Sequence, residues 1–266
     1  MPYLSSGRFA VIAHRGGSLE APENTLQAFE NAFQIFPQIY FELDVHLTRD
    51  EEVVVTHDDS VDRTTNGHGA VKDLTLNELS KLDWGFNFSK DGGKTFPFRG
   101  KGVSISRLSD IFEKFPKNPI TVEIKHGPKF FGQKVVDIIR KYNAQDRVCI
   151  SGENHEDLTK TSKLLPDLCS GYSGHELLLN FIWNRFRVPF LGPNRGDVMQ
   201  IPYIHNGYLV ASPSFIGRAH RRNKVVHVWT VNDEVTMRHL VEIGADGIIT
   251  DAPTLLLKVA RELKKI

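Results

Sequence analysis

The sequence has little cysteine, no long apolar run and almost no excess charge. Its two cysteines, Cys149 and Cys169, are too few for a disulfide framework, and we expect both to be ordinary buried thiols. No stretch approaches the ~18 consecutive apolar residues of a membrane-spanning helix, so no transmembrane segment is predicted. A formal net charge of +1 provides no general attraction to nucleic acid, and no nucleic-acid partner is expected.

The N-terminal segment also lacks the pattern of an export signal. Its apolar run, Phe9–Ala13, is shorter than the roughly 7–15 residues that form the core of a signal peptide. We therefore expect a cytoplasmic protein, although the mature form of a secreted protein would show the same features.

The chain does have enough apolar material for one large domain, since 40% of its 266 residues are hydrophobic and 24% are charged. Short apolar runs alternate with helical patterns, which are clearest over residues 24–35, 130–142 and 233–243. Strands that alternate with helices predict an α/β fold, and eight of them predict a (β/α)8 TIM barrel, which needs about 250 residues. The eight runs are Phe9–Ala13, Ile39–Val45, Ile120–Ile124, Arg147–Ile150, Cys169–Tyr172, Val198–Ile201, Val225–Val231 and Gly247–Thr250.

One further apolar run, VVVTH, follows the second strand too closely for a helix to lie between them. Parallel strands need a crossover of about a dozen residues, so this run predicts an antiparallel hairpin. With Asp50 and Glu51 as a two-residue turn, Asp44 would lie opposite His57.

Residues 59–118 are too long for a loop and too polar for a barrel unit. Thr75, with Glu78 three residues later, predicts a helix that begins with a capping box. We expect one barrel domain over residues 1–266, with a small cap subdomain inserted at about 59–118, after the third, hairpin strand.

Three acidic residues occupy strands that are otherwise apolar. Glu42 and Asp44, two positions apart, point to the same side of their strand, and Glu123 lies in the run ITVEIK. Two carboxylates about 4 Å apart repel by roughly 4 kcal/mol at an effective dielectric constant near 20. A cation removes this repulsion, and ligands that are all carboxylates favour hard cations over zinc. The sequence therefore predicts one bound divalent cation, Mg²⁺ first and Ca²⁺ second.

Two histidines and two basic residues are expected at the same rim of the barrel. His14 ends the first strand, and His57 ends the hairpin arm. A histidine at a strand end is commonly structural, but two beside a set of acids favour general acid and base roles. Arg15 and Lys125 would place fixed positive charge where a phosphoryl group lies beside the metal ion.

Several motifs occur in the order seen in glycerophosphodiester phosphodiesterases, and the chain resembles that family from Ala13 to Pro253. The resemblance implies a TIM barrel with a small cap after the His-Asp motif, and hydrolysis of a glycerophosphodiester to glycerol 3-phosphate and an alcohol, within lipid and glycerol metabolism. The motifs are HRGG, PENT, ELDVHLT, VVTHD, RTTNGHG, VEIK, VWTVND and GIITDAP.

Matched residue by residue, the resemblance assigns a role to each of these side chains. Trp229 would form an apolar wall against the glycerol or the leaving alcohol, while for His227, two residues earlier on the same strand, a structural role is expected. The residues of the PENT segment also support predictions of their own: either Asn24 or Thr25 caps the first helix, and Glu23 favours the positive end of that helix and braces the metal site. The implied metal ligands are Glu42, Asp44 and Glu123, the acid and base are His14 and His57, and the phosphate-binding residues are Arg15 and Lys125.

The chain departs from the family's pattern at three places. Glu51 stands where the family usually has glycine in the hairpin turn, and a left-handed backbone there would cost about 1–2 kcal/mol. SISRLSDIFEKFP replaces the usual Ile-Pro-Thr-Leu return from the cap, and SGENHED replaces the usual Ser-Phe. None of these changes removes a predicted catalytic group, but the last two affect the substrate pocket.

Three functions compete. The first is metal-dependent hydrolysis of small, water-soluble glycerophosphodiesters, attacked either by water or by the substrate's own 2-hydroxyl through a cyclic phosphate. The second is a lysophospholipase D activity, with weak membrane-surface contact through residues 181–195, where apolar and basic residues mix. The third is an inactive barrel that serves as a binding module, which the complete set of acids and histidines disfavours.

Overall fold

The computed structural model describes residues 3–4, 9–152, 154–185 and 192–266, and within them eight parallel strands form a barrel. Each barrel strand coincides with one of the eight predicted runs, so the predicted TIM barrel is confirmed. The barrel strands are β1 (Ala10–His14), β2 (Tyr40–Leu47), β5 (Ile120–Ile124), β6 (Val148–Ser151), β7 (Cys169–Ser170), β8 (Val198–Pro202), β11 (Val225–Trp229) and β12 (Gly247–Thr250).

The strands follow one another around the ring in the order β7, β6, β5, β2, β1, β12, β11, β8. The ring closes between β7 and β8 through a single parallel bridge, in which Gly171 pairs with Val198. By contrast, β2 and β5 pair over five positions, from Phe41 with Ile120 to Val45 with Ile124. The closure between β7 and β8 is therefore the weakest joint of the barrel.

A helix follows each barrel strand, and the three predicted helical segments are all confirmed. The buried residues of these helices cover the outside of the strands, so the main core lies between the two layers. The helices are α1 (Leu26–Ile35), α3 (Leu108–Lys114), α4 (Phe131–Lys141), α5 (His155–Leu164), α6 (Gly174–Arg185), α7 (Pro213–Arg221), α8 (Glu234–Glu242) and α9 (Pro253–Glu262).

The predicted hairpin is present, but its register was wrong by one residue. Strand β3 (Val53–Val55) pairs antiparallel with β2, and Val45 faces Val55. The backbone N–H of Thr56 donates to the carbonyl of Asp44 at 3.0 Å, so Asp44 lies opposite Thr56 and not His57. The reason is the loop, which has three residues instead of two, because Thr48 and Glu52 still pair through a 3.0 Å hydrogen bond.

The segment after β3 contains a 3₁₀ turn (Val71–Asp73) and helix α2 (Leu76–Leu79), and Thr75 and Glu78 form the predicted capping box. Apolar residues from Val61 to Ile105 form their own small cluster around Trp84. The chain then returns through β4 (Ser106–Arg107), which pairs with β3, and α3 joins the main core. The extent of the cap as a separate subdomain, 59–118, stays a prediction.

In the described part of the chain, no helix combines the length and apolar character needed to cross a bilayer. Cys149 and Cys169 are both buried free thiols on neighbouring strands, as expected. A two-stranded hairpin, β9 (Ile204–His205) and β10 (Tyr208–Leu209), stands between β8 and α7.

Candidate functional site

A cavity of about 240 Å³ opens at the carboxyl ends of the barrel strands. Loops that follow parallel strands meet at this end of a barrel, where barrel enzymes build their active sites. The eight side chains predicted to bind the metal ion or the substrate, or to act as acid or base, all line this cavity: His14, Arg15, Glu42, Asp44, His57, Glu123, Lys125 and Trp229.

The three carboxylates form a compact group on β2 and β5. Glu42 and Asp44 are 5% and 1% exposed, and Asp44 pairs in register with Glu123 across the two strands. One oxygen from each of the three side chains lies within 4.8 Å of the others, so this group could hold a metal ion. Alternation along β2 and parallel pairing with β5 are sufficient to bring these acids together.

The positive charge around these acids is unevenly shared. Lys125 Nζ lies 2.9 Å from Asp44 Oδ1 and 2.5 Å from Glu123 Oε1. Burial raises the pKa of Asp44, but the charges of Lys125 and Arg15 outweigh burial and lower it. Among the described residues no Lys or Arg side chain pairs with Glu42, and burial together with repulsion from Asp44 raises its pKa to about 8, although His14 and Arg15 lie nearby. Negative charge at Glu42 is thus the least compensated of the three, and a bound cation would stabilise it.

The turn after β1 brings Arg15 and the backbone over the acids. Arg15, Gly16 and Gly17 all have positive φ, of 52°, 84° and 98°. A Cβ atom on Gly16 would lie 2.7 Å from the Cβ of Ala28 in α1, so only glycine permits this close approach. The turn directs the N–H of Arg15 at Glu42 Oε2, 3.2 Å away.

His14 is held by a residue that the sequence did not identify. Its Nδ1 lies 2.6 Å from Oδ1 of Asp251, which directly follows β12, and its Nε2 lies 3.9 Å from Glu42 Oε2. Burial raises the pKa of Asp251, but the hydrogen bond from His14 outweighs burial and lowers it to about 2. Asp251 is therefore ionised at neutral pH, so Nδ1 of His14 carries a proton and Nε2 faces the cavity.

His57 is oriented through a chain of alternating charges. Its Nδ1 lies 2.7 Å from Asp58 Oδ1, and Asp58 accepts a 2.6 Å hydrogen bond from Arg63 Nε. Arg63 also binds Glu23 at 2.7 Å, and Glu23 accepts a 2.9 Å hydrogen bond from Arg15. This chain connects His57 to the turn that carries His14.

The PENT segment acts differently from the expectation in one respect. Thr25 caps α1 through the N–H of Ala28, so the second of the two predicted caps is the one used. Asn24 is buried with φ of 58°, and its Nδ2 donates to Asp44 Oδ2 at 3.0 Å. The contact with an acid is therefore made by Asn24, while Glu23 binds arginines. The sequence offered a signal for the unusual backbone at Asn24, because asparagine tolerates a left-handed conformation.

The remaining wall of the cavity is mostly apolar. Trp229, at the end of β11, is 42% exposed, and Leu177, Tyr172 and Ile249 also line the cavity. Gln200 contributes a polar group between them. The site therefore has a charged half that suits a phosphate and a metal ion, and an apolar half that suits the carbon skeleton of a substrate.

Comparison with known proteins gives a match over nearly the whole chain. A family model described as the glycerophosphoryl diester phosphodiesterase family matches residues 14–255. A glycerophosphodiester phosphodiesterase from Caldanaerobacter subterraneus subsp. tengcongensis is 35% identical, covering 95% of this chain and 98% of the relative. The human lysophospholipase D GDPD1 is 30% identical, covering 92% of this chain and 84% of that protein.

Solved structures show the same fold. A glycerophosphoryl diester phosphodiesterase domain from Mycobacterium tuberculosis superposes with a TM-score of 0.83 at 18% identity, covering 94% of this chain and 98% of that chain. An Oleispira antarctica phosphodiesterase, solved in complex with the product sn-glycerol-3-phosphate, has a TM-score of 0.77 and 25% identity, covering 96% of this chain and 98% of its own.

Proposed function

Since the chain belongs to the glycerophosphoryl diester phosphodiesterase family, we propose that it hydrolyses water-soluble glycerophosphodiesters to glycerol 3-phosphate and an alcohol, with the help of one divalent cation. The observation that carries the proposal is the single cavity in which three carboxylates, two histidines, Arg15 and Lys125 converge. The Oleispira relative, solved with sn-glycerol-3-phosphate, supports this product.

The proposed metal ligands are Glu42, Asp44 and Glu123. Their oxygens lie close enough to share one ion, and the raised pKa of Glu42, about 8, supports a cation there, because burial and the charge of Asp44 disfavour an ionised Glu42 without one. A set of three carboxylates fits Mg²⁺ first and Ca²⁺ second, because both prefer oxygen ligands. Bound there, the cation would supply positive charge against the oxygens of the phosphoryl group.

The protein's own residues divide the remaining work. Arg15 and Lys125 bind the phosphate, and Trp229 covers the apolar part of the substrate. His14, with its Nδ1 proton bound to Asp251, presents Nε2 to the cavity as a proton acceptor. His57, which is held by Asp58 and is 34% exposed, follows β3 and would donate the proton to the leaving alcohol. We therefore assign His14 as the base and His57 as the acid.

A lysophospholipase D activity is the second candidate. The human relative carries that name, and the apolar wall formed by Leu177 and Trp229 could accept the start of an acyl chain. The segment first considered for membrane contact, 181–195, is only partly described, because 186–191 lie outside the described residues. Within it, Phe181 packs against the main core, which favours a structural role for that residue.

The decisive experiment measures released glycerol 3-phosphate from glycerophosphocholine and glycerophosphoethanolamine, and lysophosphatidate from lysophosphatidylcholine. EDTA should abolish turnover, and Mg²⁺ or Ca²⁺ should restore it better than Zn²⁺. The variant Glu123→Gln should require much more metal for half-maximal activity. Glu30→Gln, at the outer surface of α1 where Glu30 pairs with Lys114, is the matched control and should not.

Two results would contradict the proposal. Full activity in chelator would exclude the metal site, and a strong preference for lysophosphatidylcholine would place the second candidate first. A further test separates the histidines with a nitrophenyl diester of glycerol, whose leaving group departs without a proton. His57→Ala should regain much of its activity on that substrate, and His14→Ala should not. Equal losses on both substrates would overturn the assignment of acid and base.

A further inference from the structure

One motif of the sequence, RTTNGHG, has no role in the proposed mechanism, and it opens with Arg63. Arg63 binds two carboxylates that lie in the loops after β1 and β3, Glu23 and Asp58. Asp58 in turn contacts His57, and Glu23 binds Arg15. Arg63 is therefore separated by a single carboxylate from each of two side chains that the proposed reaction uses.

The guanidinium group of Arg63 holds both carboxylates in a two-pronged geometry. Its Nε and Nη2 donate to Oδ2 and Oδ1 of Asp58 at 2.6 and 3.1 Å. Its Nη1 and Nη2 donate to Oε2 and Oε1 of Glu23 at 2.8 and 2.7 Å. All three nitrogens are engaged, and each carboxylate is held by both of its oxygens, which fixes its plane as well as its position.

The first of these pairs orients Asp58 and, through it, His57. Oδ1 of Asp58 is shared between Arg63 Nη2 and His57 Nδ1, which lies 2.7 Å away. Burial raises the pKa of Asp58, but the hydrogen bonds from Arg63 and His57 outweigh burial and lower it to about 2. An ionised, fixed carboxylate keeps a proton on Nδ1 and holds the imidazole ring in one orientation.

The second pair acts on Arg15, the proposed phosphate-binding residue. Oε1 of Glu23 accepts from Arg63 Nη2 at 2.7 Å and from Arg15 Nη1 at 2.9 Å. Burial raises the pKa of Glu23, but the hydrogen bond from Arg63 and the charge of Arg15 outweigh burial and lower it. Glu23 is thus ionised at neutral pH and fixes one end of the Arg15 guanidinium group.

The backbone that carries Arg63 is itself held in place. Asn87 Nδ2 donates to the carbonyls of Arg63 and Thr65 at 3.0 and 3.2 Å. The hydroxyl of Thr65 donates to the carbonyl of Val61 at 2.8 Å. Val61 is buried in the small apolar cluster around Trp84. The Arg63 side chain is 50% exposed, but it extends from a fixed base.

We propose that Arg63 is a positioning residue, which aligns His57 through Asp58 and Arg15 through Glu23. Residues 58–105 contribute nothing to the described lining of the cavity, so the effect of this segment on the reaction passes through Arg63. The inference rests on the proposed function, because it concerns the placement of a proton donor relative to a phosphate-binding group.

Steady-state kinetics of Arg63→Gln test the proposal. On glycerophosphocholine, kcat should fall about 10²-fold, the effect of a small misplacement of reacting groups, and KM should rise because Arg15 is no longer held. On a nitrophenyl diester of glycerol, which needs no proton donor, most of the loss in kcat should disappear while the rise in KM remains. Arg63→Lys keeps the charge but cannot bind two carboxylates with two prongs each, so it should lose nearly as much.

The matched control is Arg107→Gln. Arg107 is 45% exposed and forms a comparable two-pronged pair with Asp110 in the first turn of α3. This variant should keep kcat and KM for both substrates. Because pairs as exposed as these contribute little to stability, urea unfolding should give similar midpoints for Arg107→Gln, Arg63→Gln and the wild type.

Two further variants follow the route of the effect. Asn87→Ala frees the backbone of Arg63 and should change kcat and KM in the same direction as Arg63→Gln, but less. In a double-mutant cycle, Arg63→Gln should cost much less kcat when Asp58→Asn is already present, because the route to His57 is then broken. Additive losses would contradict the proposal.

Proton NMR of the metal-free protein gives a test that needs no turnover. The hydrogen-bonded Nδ1 proton of His57 should be observed in the wild type and in Arg107→Gln, and it should be broadened or lost in Arg63→Gln. If Arg63→Gln fails to fold, Arg63→Lys carries the same expectation.

An unchanged His57 signal, or unchanged kcat and KM in a protein that hydrolyses glycerophosphocholine, would overturn the role of Arg63 and leave the proposed function standing. A wild type that hydrolyses none of the diesters would instead overturn the proposed function, and the NMR signal would still test the alignment of His57.

Discussion

Asp251 determines how His14 is presented to the cavity. Burial lowers the pKa of His14, but the hydrogen bond to Asp251 and the nearby charge of Glu42 outweigh burial and raise it. Ser18 and Asn232 also donate to Asp251, at 2.5 and 2.7 Å, so the carboxylate is fixed on three sides. A fixed carboxylate at Nδ1 holds the ring in one orientation and one tautomer.

We predict that Asp251→Asn lowers the pKa of His14, because the amide carries no charge to stabilise the protonated ring. An NMR titration of the metal-free protein should show this shift. Turnover should fall by no more than the 10²–10⁴-fold or so that a positioned acid or base contributes.

Asp62→Asn is the control, since Asp62 forms a comparable pair with His68 at 2.9 Å on the exposed surface of the protein. That variant should leave both the pKa of His14 and the turnover as they are. A His14 pKa that is unchanged in Asp251→Asn would mean that the contact with Asp251 does not set the charge of the histidine.

His227 shows the opposite behaviour, deep in the barrel. It is 2% exposed, and its ring lies 6.3 Å from that of Tyr3, on the inner side of β11 below Trp229. Its Nδ1 has no hydrogen-bond partner among the described residues. Burial lowers its pKa to about 4, so the ring is neutral in the folded protein. This is the structural role expected for His227.

Between pH 4 and 6.5 the unfolded chain protonates His227 while the folded protein does not, so acid favours unfolding in that window. We predict that this residue makes the free energy of unfolding about 2 kcal/mol smaller at pH 5 than at pH 7. Urea unfolding of the wild type and of His227→Leu at both pH values measures the difference. The pH dependence should be weaker in His227→Leu and unaltered in His68→Gln, whose histidine is exposed; equal pH dependence in all three proteins would contradict the prediction.

At the scale of elements, the β2–β3 hairpin depends on one strained residue. Glu51 has φ of 62°, so the left-handed turn considered from the sequence is the one that forms. Its side chain pairs with Lys134 at 2.7 Å, but both groups are partly exposed, and such a pair contributes little.

Replacement of Glu51 by glycine and by alanine isolates the strain, since both variants lose the pair with Lys134. We predict that Glu51→Gly is about 1 kcal/mol more stable than Glu51→Ala, measured by urea unfolding, because only glycine adopts this backbone without cost. At Glu52, which has no positive φ, the usual order should hold, with the glycine variant less stable than the alanine variant. Equal stability of the two Glu51 variants would show that the turn relaxes.

The barrel strands could be predicted from the sequence because each one carries its own apolar run. The acids of the candidate site could be predicted because acidic residues are exceptional in such runs. The register of the hairpin could not be predicted, because it depends on whether the loop has two or three residues. The partner of His14 could not either. Asp251 lies 237 positions away along the chain, and only closure of the ring between β1 and β12 brings it to His14.

At the scale of the whole molecule, the joint between β7 and β8 differs from the others. Around its single bridge, the N–H of Tyr172 donates to the carbonyl of Val198 at 3.3 Å and the N–H of Asp197 donates to the carbonyl of Ser170 at 2.7 Å. We predict that the amide protons of Tyr172 and Asp197 exchange with solvent faster than those of Leu43 and Val122, in the centre of the β2–β5 pairing. Native-state hydrogen exchange checks this order. Exchange of all four only through global unfolding would contradict it.

A closed ring of strands is expected to open first where neighbouring strands share the least pairing, which here is between β7 and β8. In this barrel the weakest joint lies next to two segments at the mouth, since α6 follows β7 and the β9–β10 hairpin follows β8. Small openings there would leave the five-residue pairing of β2 with β5 intact, which keeps Asp44 and Glu123 at their spacing. The loosest pair of strands and the pair that carries the acids are therefore different, so a fluctuation of the first need not disturb the second.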